Sequence, residues 1–245
     1  YKPLHKRIAL WQWDKMAKEI FNEATAILPI CKYLEKMTNE FVPNQPTDVV
    51  SEGVDASKWY NVEGLKLKHP CVGLLQQPNK WDKTSEMLVL DKVIEKMPDV
   101  HFYWAGNGPL LERILPTLNK HDNFHWLGRL QYPDKVREYL SEIDVYALVT
   151  GVDMSPLSLK EAQLMKKPVV ATNVAGVPEM MIDGETGFLV EKGNHEQLIK
   201  KLRLLLEDGD LVKKMGNEGR KFVEETFNWE LVTKNFIKIA KSYLK

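Results

Sequence analysis

The residues best suited to chemistry on a phosphorylated ligand lie in TGVDMSPLSLKEA, residues 150–162, which presents Asp153, then Ser155-Pro156, then Glu161. Serine suits the cap of a helix and proline its first turn, so this spacing predicts a helix capped by Ser155. The N–H groups of Leu157 and Ser158 then lack intrahelical partners. Together with the partial positive charge of the helix end, they form a site for phosphate. Glu161 falls about 9 Å along the axis at the usual 1.5 Å rise. Its carboxylate would accept hydrogen bonds from both hydroxyls of a ribose. Asp153, on the other side of the phosphate site, would hold the hydroxyls of a second sugar. The order reads as sugar, diphosphate and ribose laid end to end. The same spacing also suits a capped helix with two solvated acids, because acids near helix starts are common for dipole reasons.

These residues need a scaffold, and the surrounding pattern supplies one. From residue 71 short apolar runs alternate with helical periodicity, the signature of βαβ units. The strands expected are CVGLLQQ (71–77), HFYWAG (101–106), FHWLG (124–128), IDVYALVT (143–150), PVVATN (168–173) and GFLV (187–190). Helices are expected over 134–141 and 156–166, with a short one near 178–182. A single apolar stripe runs from Met87 to Met97, and Pro109 suits the first turn of a helix. After 195 the pattern is helical only, over 195–206, 210–227 and 229–244. The fold class is therefore α/β, a Rossmann-like doubly wound parallel sheet. In such sheets ligands bind outside the carboxyl ends of the strands, where strand order reverses. That crevice falls between the first and fourth strands, at the loops 76–81 and 150–158, and the first of these presents Lys80.

The opening residues differ. They predict a helix over 11–21, a strand over 24–30, a helix over 31–41 and a strand over 47–51, and two short strands cannot complete a sheet alone. Residues 1–53 therefore read as the tail end of another α/β domain, incomplete here. Residues 54–226 read as a complete ligand-binding domain, and 227–245 as a C-terminal helix packing back towards the N-terminal part. The missing initiator Met points to upstream residues that were removed or never included.

Composition narrows the function further. The chain has 245 residues, 34 of them basic and 34 acidic, and this zero net charge disfavours a nucleic-acid binder working through a broad basic face. Two cysteines, Cys31 and Cys71, with no CxxC pair, argue against a disulfide scaffold and fit a reducing, cytoplasmic compartment. No apolar run approaches the roughly 20 residues of a membrane span. EDGD (207–210) contains a D-x-D, but it ends a helix, with Gly209 as the expected C-cap. HDNFH (121–125) runs from a loop into a strand rather than along a helix, which disfavours a zinc pair. GNGP (106–109) reads as a βα turn. Trp11, Trp13 and Trp59 read as packing between domains. No metal or cofactor is expected.

The stretch DMSPLSLKEAQLMKKPVVATNVAGVPEMMIDGETGFLV resembles the signature of the retaining glycosyltransferases of family 4. It carries the acid at Asp153, Glu161-Ala162 eight residues on, the Lys167–Thr172 strand, the Gly176–Glu179 turn and the Asp183–Val190 strand. SEGVDASKW (51–59), GNGP, FHWLGRL (124–130) and FNWELV (227–232) are similar to other segments of that family, so the resemblance covers about residues 24–245. It implies the GT-B architecture, with the donor nucleotide-sugar in the C-terminal domain and the acceptor mainly in the N-terminal one. The resemblance places Asp153 on the donor sugar, Glu161 on the ribose, and Met154, Ser155, Leu157 and Ser158 on sugar and diphosphate. Gly73 and Lys80 fall to the diphosphate, and Arg129 and Leu130 lie near the base. The implied partners are a nucleotide-sugar donor and a glycan, lipid or small-molecule acceptor, with room for peripheral membrane contact through an N-terminal domain. Three departures stand out: Asp153 replaces the usual Glu, Met154-Ser155-Pro156 replaces a glycine-rich turn, and Gly73-Leu74 replaces Gly-Arg. The alternative they leave open is a non-catalytic nucleotide-sugar-binding or scaffolding module.

Overall fold

Strands buried on both faces must be apolar along their whole length, and the central runs in this chain obey that rule, while the edge run 124–128 is buried only at Phe124. In the computed structural model, which describes the backbone of residues 4–244 and the side chains of 13–244, six such runs pair in one sheet. They are β1 (Cys71–Leu75), β2 (His101–Ala105), β3 (Phe124–Gly128), β4 (Val145–Leu148), β5 (Val169–Thr172) and β6 (Gly187–Val190). All pairings are parallel, in the order β3-β2-β1-β4-β5-β6. Strand order reverses between β1 and β4, which is the doubly wound arrangement expected. Val72 and Leu74 of β1, Phe102 and Trp104 of β2, and Val145 and Ala147 of β4 form the centre of the core. Leu74, where the resembling family often has Arg, is fully buried there.

The chain divides into two compact units, Gly53–Trp229 and Tyr1–Glu52 with Glu230–Lys245. In the second of these, α1 (Leu4–Glu23) and α2 (Lys32–Phe41) meet through an edge-on pair of rings, Phe21 and Phe41, 6.0 Å apart. The strands expected over 24–30 and 47–51 are not regular strands. Ile27 donates to no ladder beyond Pro46, Asp48 and Val50 bond back to Ile27 and Pro29, and a single bridge joins Ile27 to Thr47. Pro29 and Pro46 have no N–H to donate, so these few bonds do not extend into a regular ladder. Trp11 lies outside the described side chains, and Trp13 is exposed.

In the larger unit, α3 (Trp81–Thr84) follows β1, and a 3-10 segment, Ser85–Val89, joins it to α4 (Leu90–Lys96). The apolar stripe from Met87 to Met97 is thus shared between two helix types rather than lying on one α-helix. Next come α5 (Leu111–Leu118), α6 (Asp134–Glu142) and α7 (Leu157–Leu164). Pro109 precedes α5 instead of opening it. The short helix near 178–182 is a 3-10 turn, Val177–Glu179. Then α8 (His195–Glu207) and α9 (Gly209–Thr226) close the unit, and α10 (Trp229–Tyr243) ends the described chain. Gly209 is the first residue of α9, not a C-cap. Asp208 ends α8 and caps α9, its Oδ1 accepting from the amides of Asp210 and Leu211 at 3.1 and 2.9 Å. That capping role accounts for Asp208 of the D-x-D in local terms. No helix among the described residues is long and apolar enough to cross a membrane.

Candidate active site

The loops at the carboxyl ends of the strands are bound to one another. After β1, Gln76 is buried and its amide donates to the Val149 carbonyl beyond β4 at 3.1 Å, while Trp104 Nε1 donates to the Gln76 carbonyl at 3.0 Å. The Gln76 Oε1 is buried without a protein hydrogen-bond partner. After β2, Gly106 lies so close to the Gln76 carbonyl that a Cβ would stand 2.1 Å from it. Its amide donates to Gly128, which ends β3 with φ of +69°. This knitting fixes the floor of the crevice between β1 and β4.

Asp153 meets a lysine across that crevice, Lys83, which the sequence pattern does not single out. Its Nζ donates to Asp153 Oδ2, and the two side chains are only 30% and 13% exposed. Lys80 is exposed and stands at the N-cap of α3 in extended backbone, outside the helical turn that carries Lys83. Backbone contacts hold the ion pair in place. The Gly151 amide donates to the Lys83 carbonyl at 2.9 Å, and the Gly176 amide to the Asp153 carbonyl at 3.0 Å. A Cβ at Gly151 would stand 2.0 Å from the Asp82 carbonyl oxygen. Gly151→Ala is therefore expected to force the two loops apart and lower unfolding stability by about 1–3 kcal/mol. A chemical-denaturation midpoint unchanged from wild type would show that the loops are not held by this contact.

The start of α7 differs from expectation in one detail. The cap position falls on Pro156, φ −64° and ψ 107°, so the helix opens at Leu157 and Ser155 is not its cap. The Ser155 hydroxyl instead accepts from Lys160 Nζ at 2.9 Å and lies 3.7 Å from Met180 Sδ, which takes it out of reach of the helix amides. The amides of Leu157 and Ser158 still lie in the first turn and have no helical carbonyl behind them. Leu157 is exposed, Met154 and Ser158 are half-buried, and Ser158 Oγ lies 2.8 Å from the hydroxyl of buried Tyr146.

Glu161 is buried one turn further along α7. Loss of water around the carboxyl pushes its pKa up to about 7, against a smaller lowering from the hydrogen bond that the Tyr132 hydroxyl donates to Oε1 at 3.0 Å. Tyr132, which the sequence pattern does not single out, is exposed over most of its surface, but lost water around its hydroxyl and the Glu161 charge push its pKa up to about 12. Its ring packs edge-on against buried Trp59 at 6.0 Å. The charges of both acids act on one buried side chain. The buried phenol of Tyr146 is raised first by desolvation and then by the negative charges of both Glu161 and Asp153. The structure thus pairs Asp153, in the loop before α7, with Lys83, and Glu161, within that helix, with Tyr132. Gly73 lies under the site in β1, where a Cβ would strike Ile143 and the Tyr139 hydroxyl. Arg129 is exposed and Leu130 half-buried in the loop that leads to Tyr132. The two histidines of HDNFH are separated: His121 pairs with Asp91 at 2.7 Å, and His125 with His101 at 3.1 Å.

Comparison with known proteins gives the family and the fold of the chain. The profile of the family described as "Glycosyl transferases group 1" matches residues 71–208. An uncharacterized glycosyltransferase of Methanocaldococcus jannaschii is 28% identical over 206 residues, covering 83% of this chain and 56% of its own length. A GDP-mannose-dependent monoacylated alpha-(1-6)-phosphatidylinositol monomannoside mannosyltransferase of Corynebacterium glutamicum is 30% identical over 163 residues, 62% of this chain and 42% of that one. The chain thus spans little more than half the length of the first of these relatives, and less of the second. Among solved structures, Anabaena HepE in complex with UDP-glucose superposes with a TM-score of 0.80 at 15% identity, covering 94% of this chain and 67% of that one. Sucrose-phosphate synthase from Thermosynechococcus elongatus superposes with a TM-score of 0.80 at 18% identity, covering 94% and 61%. These structures share the GT-B type of fold.

Proposed function

The chain belongs to the glycosyl transferases of group 1, and on that premise we propose that it forms the donor half of a retaining, metal-independent glycosyltransferase. The donor is a nucleoside-diphosphate sugar, and the acceptor is a glycan, lipid or small molecule held mainly outside this unit. The observation that supports the reading is the pair of carboxylates on either side of the first turn of α7, Asp153 bound to Lys83 and Glu161 to Tyr132. Relatives point the same way about the donor, one being GDP-mannose-dependent and one solved with UDP-glucose.

In this reading the amides of Leu157 and Ser158 and the Lys83 ammonium receive the diphosphate, which gathers charge as the bond to the sugar breaks. Asp153 holds Lys83 and positions the sugar. Glu161 takes the ribose hydroxyls once the Tyr132 hydroxyl gives way. Arg129 and Leu130 stand on the loop where the base would lie. The acceptor attacks from the face the leaving group departs from, and a phosphate oxygen takes its proton, which leaves the anomeric configuration unchanged. No step in this scheme requires a metal at the diphosphate.

A second reading, a nucleotide-sugar-binding module without turnover, rests on Leu74. It lies in the core where the resembling family often has Arg, and a charge-assisted contact of that kind is worth about 1.5–3 kcal/mol. Calorimetric titration with UDP, GDP and ADP and their sugars tests the donor site common to both readings. One nucleotide is expected to bind with a single site per chain, and no heat with any of the three would end both. Donor hydrolysis or transfer by the full-length protein, lost in Asp153→Ala, separates the enzyme from the module.

A further inference from the structure

At the opposite end of the strands from the donor crevice, three side chains with different donor atoms converge. Among the described residues, His69, Cys71 and Asp144 each offer one ligand atom within 4.8 Å of the others. Asp144 immediately precedes β4 and Cys71 opens β1, so their closeness follows from the pairing of those two strands. His69 Nδ1 lies 2.8 Å from Asp144 Oδ2 and 3.7 Å from Cys71 Sγ. The other ring nitrogen, Nε2, lies 3.0 Å from Glu142 Oε1.

We propose that His69 Nδ1, Cys71 Sγ and Asp144 Oδ2 form a binding site for a zinc-like divalent cation, with Glu142 fixing the imidazole from behind. Zinc takes nitrogen at about 2.0–2.1 Å and sulfur at about 2.3 Å, so tetrahedral ligand atoms stand roughly 3.2–3.6 Å apart. The sulfur–nitrogen spacing is already near that range, and the nitrogen–oxygen spacing has to open by a few tenths of an ångström. A ligating histidine commonly gives its second N–H to a carboxylate, which fixes the tautomer that leaves the other nitrogen free for the metal. Glu142 stands where that second carboxylate must be. The cysteine is fully buried, while the His69 side chain is 41% exposed, so the fourth position opens towards water. One thiolate and one carboxylate match the charge of the ion. Coordination displaces the thiol proton and the proton shared between His69 and Asp144 to solvent. Lys167 Nζ, whose charge acts on both Cys71 and Asp144, is turned to the Ser141 carbonyl at 2.8 Å and is not a ligand.

The site lies apart from the donor cleft, so it is independent of the metal-free transfer scheme. The test is titration of the chelator-treated 245-residue chain with Co²⁺, followed by Zn²⁺ displacement. One equivalent of Co²⁺ is expected, with a thiolate-to-cobalt charge-transfer band that Zn²⁺ abolishes. Cys71→Ser should remove the band, and His69→Gln should weaken binding at least 100-fold. Glu142→Gln should weaken it about 10–100-fold. His69→Gln keeps the test decisive if the buried Cys71 substitution fails to fold. A wild-type titration without the charge-transfer band overturns the proposal, as does an affinity unchanged in His69→Gln. Either result would leave the cluster as an imidazolium clamped between two carboxylates.

Discussion

Glu161→Gln is expected to raise the melting temperature at pH 8 and, in the same protein, to weaken nucleotide binding. The folded-state pKa of Glu161 is about 7 against an ordinary value of 4.5, because burial opposes its charge. Between these values the native state holds a proton that the unfolded chain releases. Stability therefore falls as pH rises through that window and is lowest above it. The shift corresponds to about 3 kcal/mol. A glutamine keeps the shape and an acceptor for the Tyr132 hydroxyl without the buried charge, although its own amide must also be buried. A gain of about 1–3 kcal/mol at pH 8 follows, or roughly 3–10 °C for a chain of this size, with little gain at pH 5. Nucleotide affinity should move the opposite way. Glutamine loses one acceptor for the two ribose hydroxyls, which costs about 1.5–3 kcal/mol, or roughly 10–150-fold in Kd. Wild-type affinity should also decline as pH falls below 7, whereas the variant should show no such slope. Melting curves at the two pH values and titration across the range decide the matter. A variant that is less stable at pH 8, or that binds nucleotide as tightly as wild type, would remove Glu161 from the role assigned to it.

The candidate site was partly legible in the sequence. Glu161 was legible from its rise of about 9 Å along the helix that Asp153 precedes. Asp153 was legible from its place before a helix start. The sheet was legible because strands covered on both faces must be continuous apolar runs, and each of the six expected runs became a strand. The strand reversal between β1 and β4 then located the crevice without any side-chain contact being known.

What stayed hidden was set by contacts distant in sequence or by cap geometry. Ser155 has the composition of a cap, but the hydroxyl is drawn away by buried Lys160, and nothing in local spacing shows that pull. Tyr132 sits in the polar stretch QYPD, and only the path of the loop after β3 brings it to Glu161, 29 residues on. The segments 24–30 and 47–51 carry strand-like residues, yet strand character is a property of paired neighbours, and they find one bridge. The cluster at His69 and Asp144 was recoverable in principle, since residues that precede adjacent parallel strands are neighbours, but that step needs the strand order first.

The choice between two lysines is where sequence spacing and structure diverge most, and it yields the largest expected effect on turnover. Lys80 precedes α3 in extended backbone and faces solvent, whereas Lys83 lies inside the turn and is tied to the crevice at both ends. Its carbonyl receives the Gly151 amide and its ammonium meets Asp153. With a leucine at 74, Lys83 is a cation paired directly with Asp153. If it stabilises the departing diphosphate, Lys83→Met should reduce kcat of the full-length protein by about 10²–10³-fold, the usual effect of deleting one such donor. Lys80→Met should change it less than about threefold, as expected for an exposed lysine. Lys83→Arg is the informative intermediate: the charge is kept, but the planar fork does not reproduce a point contact, so partial activity is expected. Loss of Lys83 also leaves Asp153 partly buried without its partner, so melting curves must accompany the kinetics. A Lys83→Met protein that folds and turns over at the wild-type rate would return the leaving-group role to Lys80 or to the α7 amides alone. Equal losses at both lysines would mean that the diphosphate spans the whole loop after β1 rather than resting on the Asp153 side of it.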